Sequence, residues 1–404
     1  MTEFSCQSPI KRPSVPVGRR VEAIREHLLI HARSYFPALS GSISIRIEEV
    51  KRPSTNALAR FVLSDGCTTA RVIAKWTPIY TGNNEGLTEF EHYRLFNSRC
   101  GGDSGFGCPT ALCFVEGENI LLTEEQEGLP LRDACRSLFH RTPSRRVLQA
   151  SILSGRWLNA FHYLASPTKL PIRSAWRLLE KLSPCIFDAY LAKRELSAVI
   201  TNQMRLQIGH SRQALARCSC VCKVGAIHKD FGPGNILVSD KTITVLDAAS
   251  NEVGPQLIDV ADFLGYMHLL STVSLRTTRS CEKFTNEFLR AYLGSARIQS
   301  AEEALLNLLK IGATARTYER HLGTITLMPA PLRRSMASYC AHRYRRVLQV
   351  LIARASDCVR EMEAPVRMRS SISRSPFPPA ATASARANPQ PEDSVYSLAG
   401  RALL

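Results

Sequence analysis

No apolar run in this chain is both long enough and free enough of charge to span a bilayer. No apolar stretch follows Met1-Thr2-Glu3-Phe4-Ser5-Cys6 either, so a secretory leader is not expected. Together these absences point to a cytoplasmic protein. The thirteen cysteines are odd in number and scattered, with no spacing that reads as a disulfide framework, so reduced thiols are expected. The one dense cluster, Cys218, Cys220 and Cys222, lacks both the Cys-x-x-Cys spacing and the fourth ligand of a zinc site, and reads as small side chains in a connector. Acidic residues are scarce, with 35 Asp and Glu against 52 Lys and Arg, for a net charge of +17. Residues 364–404 hold five Arg and two acids, or +3, which leaves +14 for the remainder. A basic surface attracts nucleotides, nucleic acids, anionic lipids and acidic metabolites. The basic stretches at 333–334 and 343–346 lack the regular aromatic interleaving of a nucleic-acid platform, so a nucleic-acid partner is not expected. No internal repeat is present.

A chain of 404 residues with 45% hydrophobic content can bury one large core or two small ones. Its ends differ from its middle. Residues 364–404 mix Pro, Ser, Ala and Arg irregularly and are expected to be disordered, and residues 1–18 to form a flexible N-terminus. Beyond that terminus, Val21, Ile24, Leu28 and Ala32 recur at helical spacing. Two apolar, β-branched runs at 57–63 and 70–76 flank Ser64-Asp65-Gly66-Cys67, whose Asp-Gly pair signals a hairpin.

The richest stretch begins at His228-Lys229-Asp230-Phe231-Gly232-Pro233-Gly234-Asn235. It runs through a short apolar strand and a turn at Ser239-Asp240-Lys241. It then enters a second apolar strand that ends in Asp247. Phosphoryl transfer from a nucleotide needs three such groups. A carboxylate takes the proton of the acceptor hydroxyl, which is the role for Asp230. An amide oxygen and a second carboxylate, Asn235 and Asp247, hold the Mg²⁺ that neutralises the phosphates. Gly232, Pro233 and Gly234 suit a tight irregular loop between the base and the first metal ligand.

This stretch, His-x-Asp-x-x-x-x-Asn followed by an apolar strand ending in Asp, resembles the catalytic loop of the aminoglycoside phosphotransferase and choline kinase family. The resemblance extends patchily from about residue 40 to about residue 300. It implies an α+β, two-lobed protein-kinase-like fold with a small antiparallel β lobe and a larger, mostly helical lobe. The lobes would be 19–126, with the leading helix packed on the sheet, and 127–363. Val72-Ile73-Ala74-Lys75 looks like the family strand whose lysine pairs nucleotide phosphates. Such a lysine needs a helix glutamate. Glu89 and Glu91 are two apart and point in different directions, so only one can face Lys75. The pattern Glu89-Phe90-Glu91-His92-Tyr93 is closer to the family helix when Glu89 takes that part. Residues 119–131 resemble the strand and hinge between the lobes. The expected nucleotide-binding positions there are Glu124 and Gln126.

The family often has glycines in its phosphate-covering loop, but the corresponding turn here, 52–56, has none. Its Ser54 and Thr55 hydroxyls and its backbone offer the expected donors. His162 looks like the structural histidine that closes a family helix. Gly254-Pro255-Gln256-Leu257-Ile258-Asp259-Val260-Ala261 resembles a segment whose Asp braces the catalytic loop, so Asp259 and His228 are expected to support Asp230. Asp262 is expected to be a charge on a helix surface. The reaction implied is Mg²⁺-dependent transfer of the γ-phosphoryl group of ATP or GTP to a hydroxyl of a small molecule. Its pocket would come from residues 165–225 and the helices after 263. The alternatives are a non-catalytic kinase-like binding protein and, resting on charge alone, a nucleic-acid-binding protein. Asp247-Ala248-Ala249, where relatives often have a bulkier residue after the Asp, favours the first of these.

Overall fold

The computed structural model describes residues 17–51, 57–76, 85–101, 104–135, 144–164, 166–182, 198–250, 252–271, 275–296, 298–325 and 329–363. The glycine-free turn at 52–56, the N-terminal residues 1–16 and the tail 364–404 lie outside them, as do parts of the expected hydroxyl-acceptor region. The described residues fall into two compact units. The first runs from the N-terminal helix through Gly128 and also takes in Thr244–Ser250. The second takes the rest. Assignment of 244–250 to the first unit departs from the sequence-based boundary, which keeps everything after 126 together.

The first unit is a five-stranded antiparallel sheet with two helices. In chain order its elements are α1 (Val17–Tyr35), β1 (Ser44–Lys51), β2 (Ala57–Ser64), β3 (Thr69–Trp76), α2 (Glu85–Cys100), β4 (Phe106–Gly107), β5 (Ala111–Val115) and β6 (Ile120–Glu124). The sheet order is β1-β2-β3-β6-β5. Val21, Ile24, Leu28 and Ala32 form one stripe of α1. They pack with Phe61, Leu63, Val72, Ala74, Trp76, Ile120 and Leu122 into a core from which water is excluded. Burying each large apolar side chain there contributes on the order of 1.5–3 kcal/mol. Strand alternation then decides where the polar residues go. Val72, Ala74 and Trp76 are buried in that core, so Lys75 projects from the opposite face of β3, where α2 lies.

The β2–β3 turn is closed by Asp65. Its carboxylate accepts the backbone N–H groups of Cys67 (2.9 Å), Thr68 (2.7 Å), Ser40 (2.8 Å) and Gly41 (3.2 Å). Those donors hold its carboxyl well below the usual carboxylate range. Gly66 follows with φ 92°, the left-handed geometry that makes the Asp-Gly pair a turn signal.

The second unit is mostly helical. It contains β7 (Leu129–Pro130), α3 (Leu131–Ala134), α4 (Arg145–Leu164), β8 (Thr168–Pro171), α5 (Ile172–Leu182), α6 (Ala198–Arg217), β9 (Val221–Ala226) and β10 (Ile236–Val238). After β11 (Ile243–Val245) come β12 (Val253–Pro255), α7 (Leu257–Ser271), α8 (Leu275–Leu293), α9 (Ser300–Ile325) and α10 (Ala330–Glu363). Strands β12, β9 and β8 form a three-stranded antiparallel sheet. Helices α4 and α8 meet at Gly155, where a Cβ would stand 2.4 Å from the Phe288 carbonyl oxygen, so only glycine permits this approach. An aromatic stack fills the centre. Trp157 lies on Phe231 (5.6 Å between centroids), Phe231 on Phe263 (5.5 Å) and Phe263 on Phe288 (4.2 Å). The described cysteines, including Cys218, Cys220 and Cys222, are free thiols. No helix among the described residues is long and apolar enough to cross a membrane.

Candidate functional site

Each unit carries one cluster of the residues singled out above. In the first unit the centre is Lys75. Its ammonium donates to Glu89 Oε2 at 2.7 Å and to Asp247 Oδ1 at 2.5 Å. Glu89 is buried at 2% exposure, whereas Glu91 is exposed on another side of α2. The structure thus places Glu89, not Glu91, beside Lys75. Burial alone would pull the Lys75 ammonium down, but the two carboxylates outweigh it and hold its pKa above the usual lysine value.

Two residues that sequence reasoning did not assign complete this cluster. Tyr93, one helical turn beyond Glu89, donates its hydroxyl to Glu89 Oε1 at 2.5 Å and accepts the Asp247 N–H at 2.8 Å. Burial and the Glu89 carboxylate push its phenol well above the usual tyrosine value. The His92 Nδ1–H donates to the Ala248 carbonyl at 2.8 Å. The i, i+4 spacing of Glu89 and Tyr93 was a usable signal for their shared helix face. Their reach to residue 247 was not. Asp247 itself has φ 60°, left-handed geometry that costs most L-residues about 1–2 kcal/mol and that Asp tolerates better than most.

At the end of β6, Glu124 N donates to Thr110 O at 2.9 Å, and Glu124 O accepts Gln126 Nε2 at 3.4 Å. Glu125, between them, is ion-paired with Arg60 at 2.8 Å. Glu124, the last residue of β6, and Gln126, two residues beyond it, are half-buried.

In the second unit the centre is Asp259, which has no exposed surface. Its carboxylate accepts the backbone N–H of His228 (2.8 Å), the backbone N–H of Lys229 (2.8 Å) and His162 Nε2–H (2.9 Å). His162 Nδ1 in turn meets the Tyr292 hydroxyl at 3.1 Å. The chain turns just after these two N–H groups, at Lys229, whose φ is 69°. The His228 ring is buried among Trp157, Phe161 and Phe231. Asp230 thus sits between a buried histidine and a buried phenylalanine while remaining exposed itself. Asn235 Nδ2 donates both to the Asp230 carbonyl (3.0 Å) and to Asp230 Oδ2 (3.0 Å). Two oxygen acceptors fix the amide's orientation, because only the NH₂ end can face them. The Asn235 Oδ1 is left facing elsewhere.

The loop between Asp230 and Asn235 makes a tight turn at Pro233–Asn235, and neither Gly232 nor Gly234 is left-handed. A Cβ at either would meet nothing within 4 Å, and the positive-φ positions are Lys229 and Asp247 instead. Asp262 is not a surface charge. Its side chain is 14% exposed and paired with Arg316 of α9. Burial pushes its carboxyl up to about 7, with Arg316 pulling the other way and the Asp259 and Asp230 charges adding to the rise. A carboxylate one turn into a helix of high hydrophobicity lands inside the unit because its neighbours Val260, Ala261, Phe263 and Leu264 are all buried.

Each unit carries an oxygen donor of the kind a hard divalent cation takes: in the first, the Asp247 carboxylate, whose side chain is 47% exposed, and in the second, the Asn235 amide oxygen. Among the described residues no group of three or more His, Cys, Asp and Glu is placed to hold a metal. Mg²⁺ needs no such cage, since it binds through one or two protein oxygens together with substrate phosphates and water.

No protein-family model matches the chain, and no curated protein does. Solved structures of similar shape exist. A choline/ethanolamine kinase family protein from Mesorhizobium loti aligns at 14% identity and TM-score 0.46, covering 83% of this chain and 99% of the other. A glucosamine kinase aligns at 14% identity and TM-score 0.48, covering 83% and 82%. An amicoumacin kinase solved with AMP-PNP and Ca²⁺ aligns at 13% identity and TM-score 0.45, covering 81% and 96%. At such identities and scores these likenesses carry no functional assignment.

Proposed function

We propose that this chain is a nucleotide-dependent phosphotransferase that moves the γ-phosphoryl group of ATP or GTP to a hydroxyl of a small molecule. The observation that carries the reading is the Lys75 ammonium held between the carboxylates of Glu89 and Asp247. An ammonium fixed in this way keeps its charge under all ordinary conditions and needs no side-chain reordering before it meets nucleotide phosphates. Asp230 is the base. It is exposed, its backbone is anchored through the neighbouring N–H groups on Asp259, and its carboxylate is aligned by Asn235. It would orient the acceptor hydroxyl and take its proton, a contribution of roughly 10²–10⁴-fold. Asn235 and Asp247 would hold Mg²⁺, which supplies charge neutralisation of the nucleotide phosphates when bound. Glu124 and Gln126 would present backbone groups to the purine.

The test is nucleotide affinity by calorimetry with and without Mg²⁺, followed by a metabolite-pool screen for ATP- or GTP-dependent phosphorylation. The expected result is Mg²⁺-dependent nucleotide binding that Asp247→Ala abolishes without loss of fold. An unchanged Mg²⁺ dependence in that variant would remove Asp247 from the metal site. Mg²⁺-dependent binding with no turnover of any acceptor would leave the non-catalytic reading. Salt-steep association with RNA or DNA that ignores Asp230 substitutions would favour the nucleic-acid reading.

A further inference from the structure

Two small residues, Ala248 and Ala249, follow Asp247, and Ala248 is buried. Asp247 holds left-handed geometry, with φ 60°. A conformation of that kind persists only where its surroundings over-determine it. Besides the Lys75 ion pair, two restraints come from helix α2, more than 150 residues earlier in the chain. Tyr93 and His92 are consecutive on that helix. The Tyr93 hydroxyl accepts the Asp247 N–H at 2.8 Å, and the His92 Nδ1–H donates to the Ala248 carbonyl at 2.8 Å. One α2 residue therefore fixes the backbone on the N-terminal side of Asp247 and its neighbour fixes the backbone just beyond.

The Tyr93 hydroxyl also donates to Glu89 Oε1 at 2.5 Å, and its ring is 2% exposed. One buried oxygen thus joins the carboxylate that holds Lys75 to the backbone that orients Asp247. Lys75 closes the same circuit from the other side by donating to both carboxylates. We propose that Tyr93 is a positioning residue for Asp247, with His92 as a second tether. Its hydroxyl keeps the Asp247 backbone in the geometry that presents the carboxylate to a divalent cation. The inference rests on the reading of Asp247 as a metal ligand.

Tyr93→Phe tests it, because the buried ring stays and only the hydroxyl goes. Two measurements are needed. The first is backbone amide exchange at residue 247 in the ligand-free protein, which does not depend on any nucleotide. Faster exchange there, with exchange in β2 and β3 unchanged, is expected. The second is the Mg²⁺ concentration needed for half-maximal nucleotide binding. It should rise about tenfold or more, as outer partners of metal ligands usually cause, and by clearly more than the Mg²⁺-free nucleotide affinity falls through the lost Tyr93–Glu89 bond. A merely structural role for Tyr93 would move both affinities together. His92→Ala should shift the Mg²⁺ requirement in the same direction by less, and it carries the test should Tyr93→Phe fail to fold. Unchanged exchange at 247, or an unchanged Mg²⁺ requirement in a folded variant, overturns the proposal. Should the native chain bind no Mg²⁺-nucleotide, the phosphotransferase reading falls, and the exchange measurement still decides whether Tyr93 tethers Asp247.

Discussion

Asp259, fully buried, accepts the backbone N–H of Lys229 at 2.8 Å, and Lys229 itself adopts left-handed geometry, φ 69°. A carboxylate on α7 thus anchors the backbone immediately before Asp230. Asp259→Asn keeps the size but replaces one acceptor oxygen with an NH₂ that cannot accept. Loss of about 1–3 kcal/mol of unfolding free energy is expected, since a buried donor loses its partner. Urea denaturation measures it. A variant as stable as the native chain would show that this carboxylate does not brace the loop.

Lys75→Met should weaken nucleotide use strongly, and Glu89→Gln more mildly. Glu91→Gln should have little effect, because Glu91 is exposed while Glu89 is buried and holds the ammonium at 2.7 Å. Nucleotide affinity of the three variants checks this ordering. Damage from Glu91→Gln comparable to that from Glu89→Gln would break it.

Asp230→Asn preserves the shape and one acceptor oxygen while removing the base. Near-native Mg²⁺-nucleotide binding with turnover reduced by roughly 10²-fold or more is expected. Steady-state rates on an identified acceptor, paired with nucleotide affinity, measure both halves. Full activity in the variant would rule out the mechanism drawn above.

Stability should carry a pH signature from Asp262. Burial raises its carboxyl from 3.8 to about 7 in the folded chain, against the pull of Arg316. Between those values the folded state binds more protons at this site than the unfolded state does. The contribution of Asp262 to stability therefore falls as pH rises from about 4 to about 7 and is level above that. In Asp262→Asn that slope should be lost. Denaturation midpoints of the two proteins across this window, taken as a difference, isolate it. Parallel profiles would mean that the carboxylate stays ionised throughout.

Much of the first unit was legible in the chain. The 3.6-residue recurrence of Val21, Ile24, Leu28 and Ala32 reads directly as a buried stripe. The Asp65-Gly66 pair reads as the turn it makes. The alternation around Lys75 places it on the face away from the α1 core. These are local properties, set within a few residues by helix and strand periodicity. Asp262 was misread for a reason of the same kind. Its charge outweighed, in a short window, the four buried apolar neighbours that carry it inside.

By itself the sequence determined the strand and helix periods, the turn chemistry, and the spacing that puts Asp230 and Asn235 in one loop. Their hydrogen bond spans only five residues, so local geometry was enough to bring them together. Tertiary structure alone decided that Tyr93 and His92 clasp the backbone at 247 and 248, that Lys229 bends to meet Asp259, and that Arg316 reaches Asp262. Those pairs are separated by 154, 156, 30 and 54 residues. No propensity or period couples positions so far apart. Only the packing of α2 on the sheet, and of α7 and α9 on one another, brings their polar atoms within bonding distance.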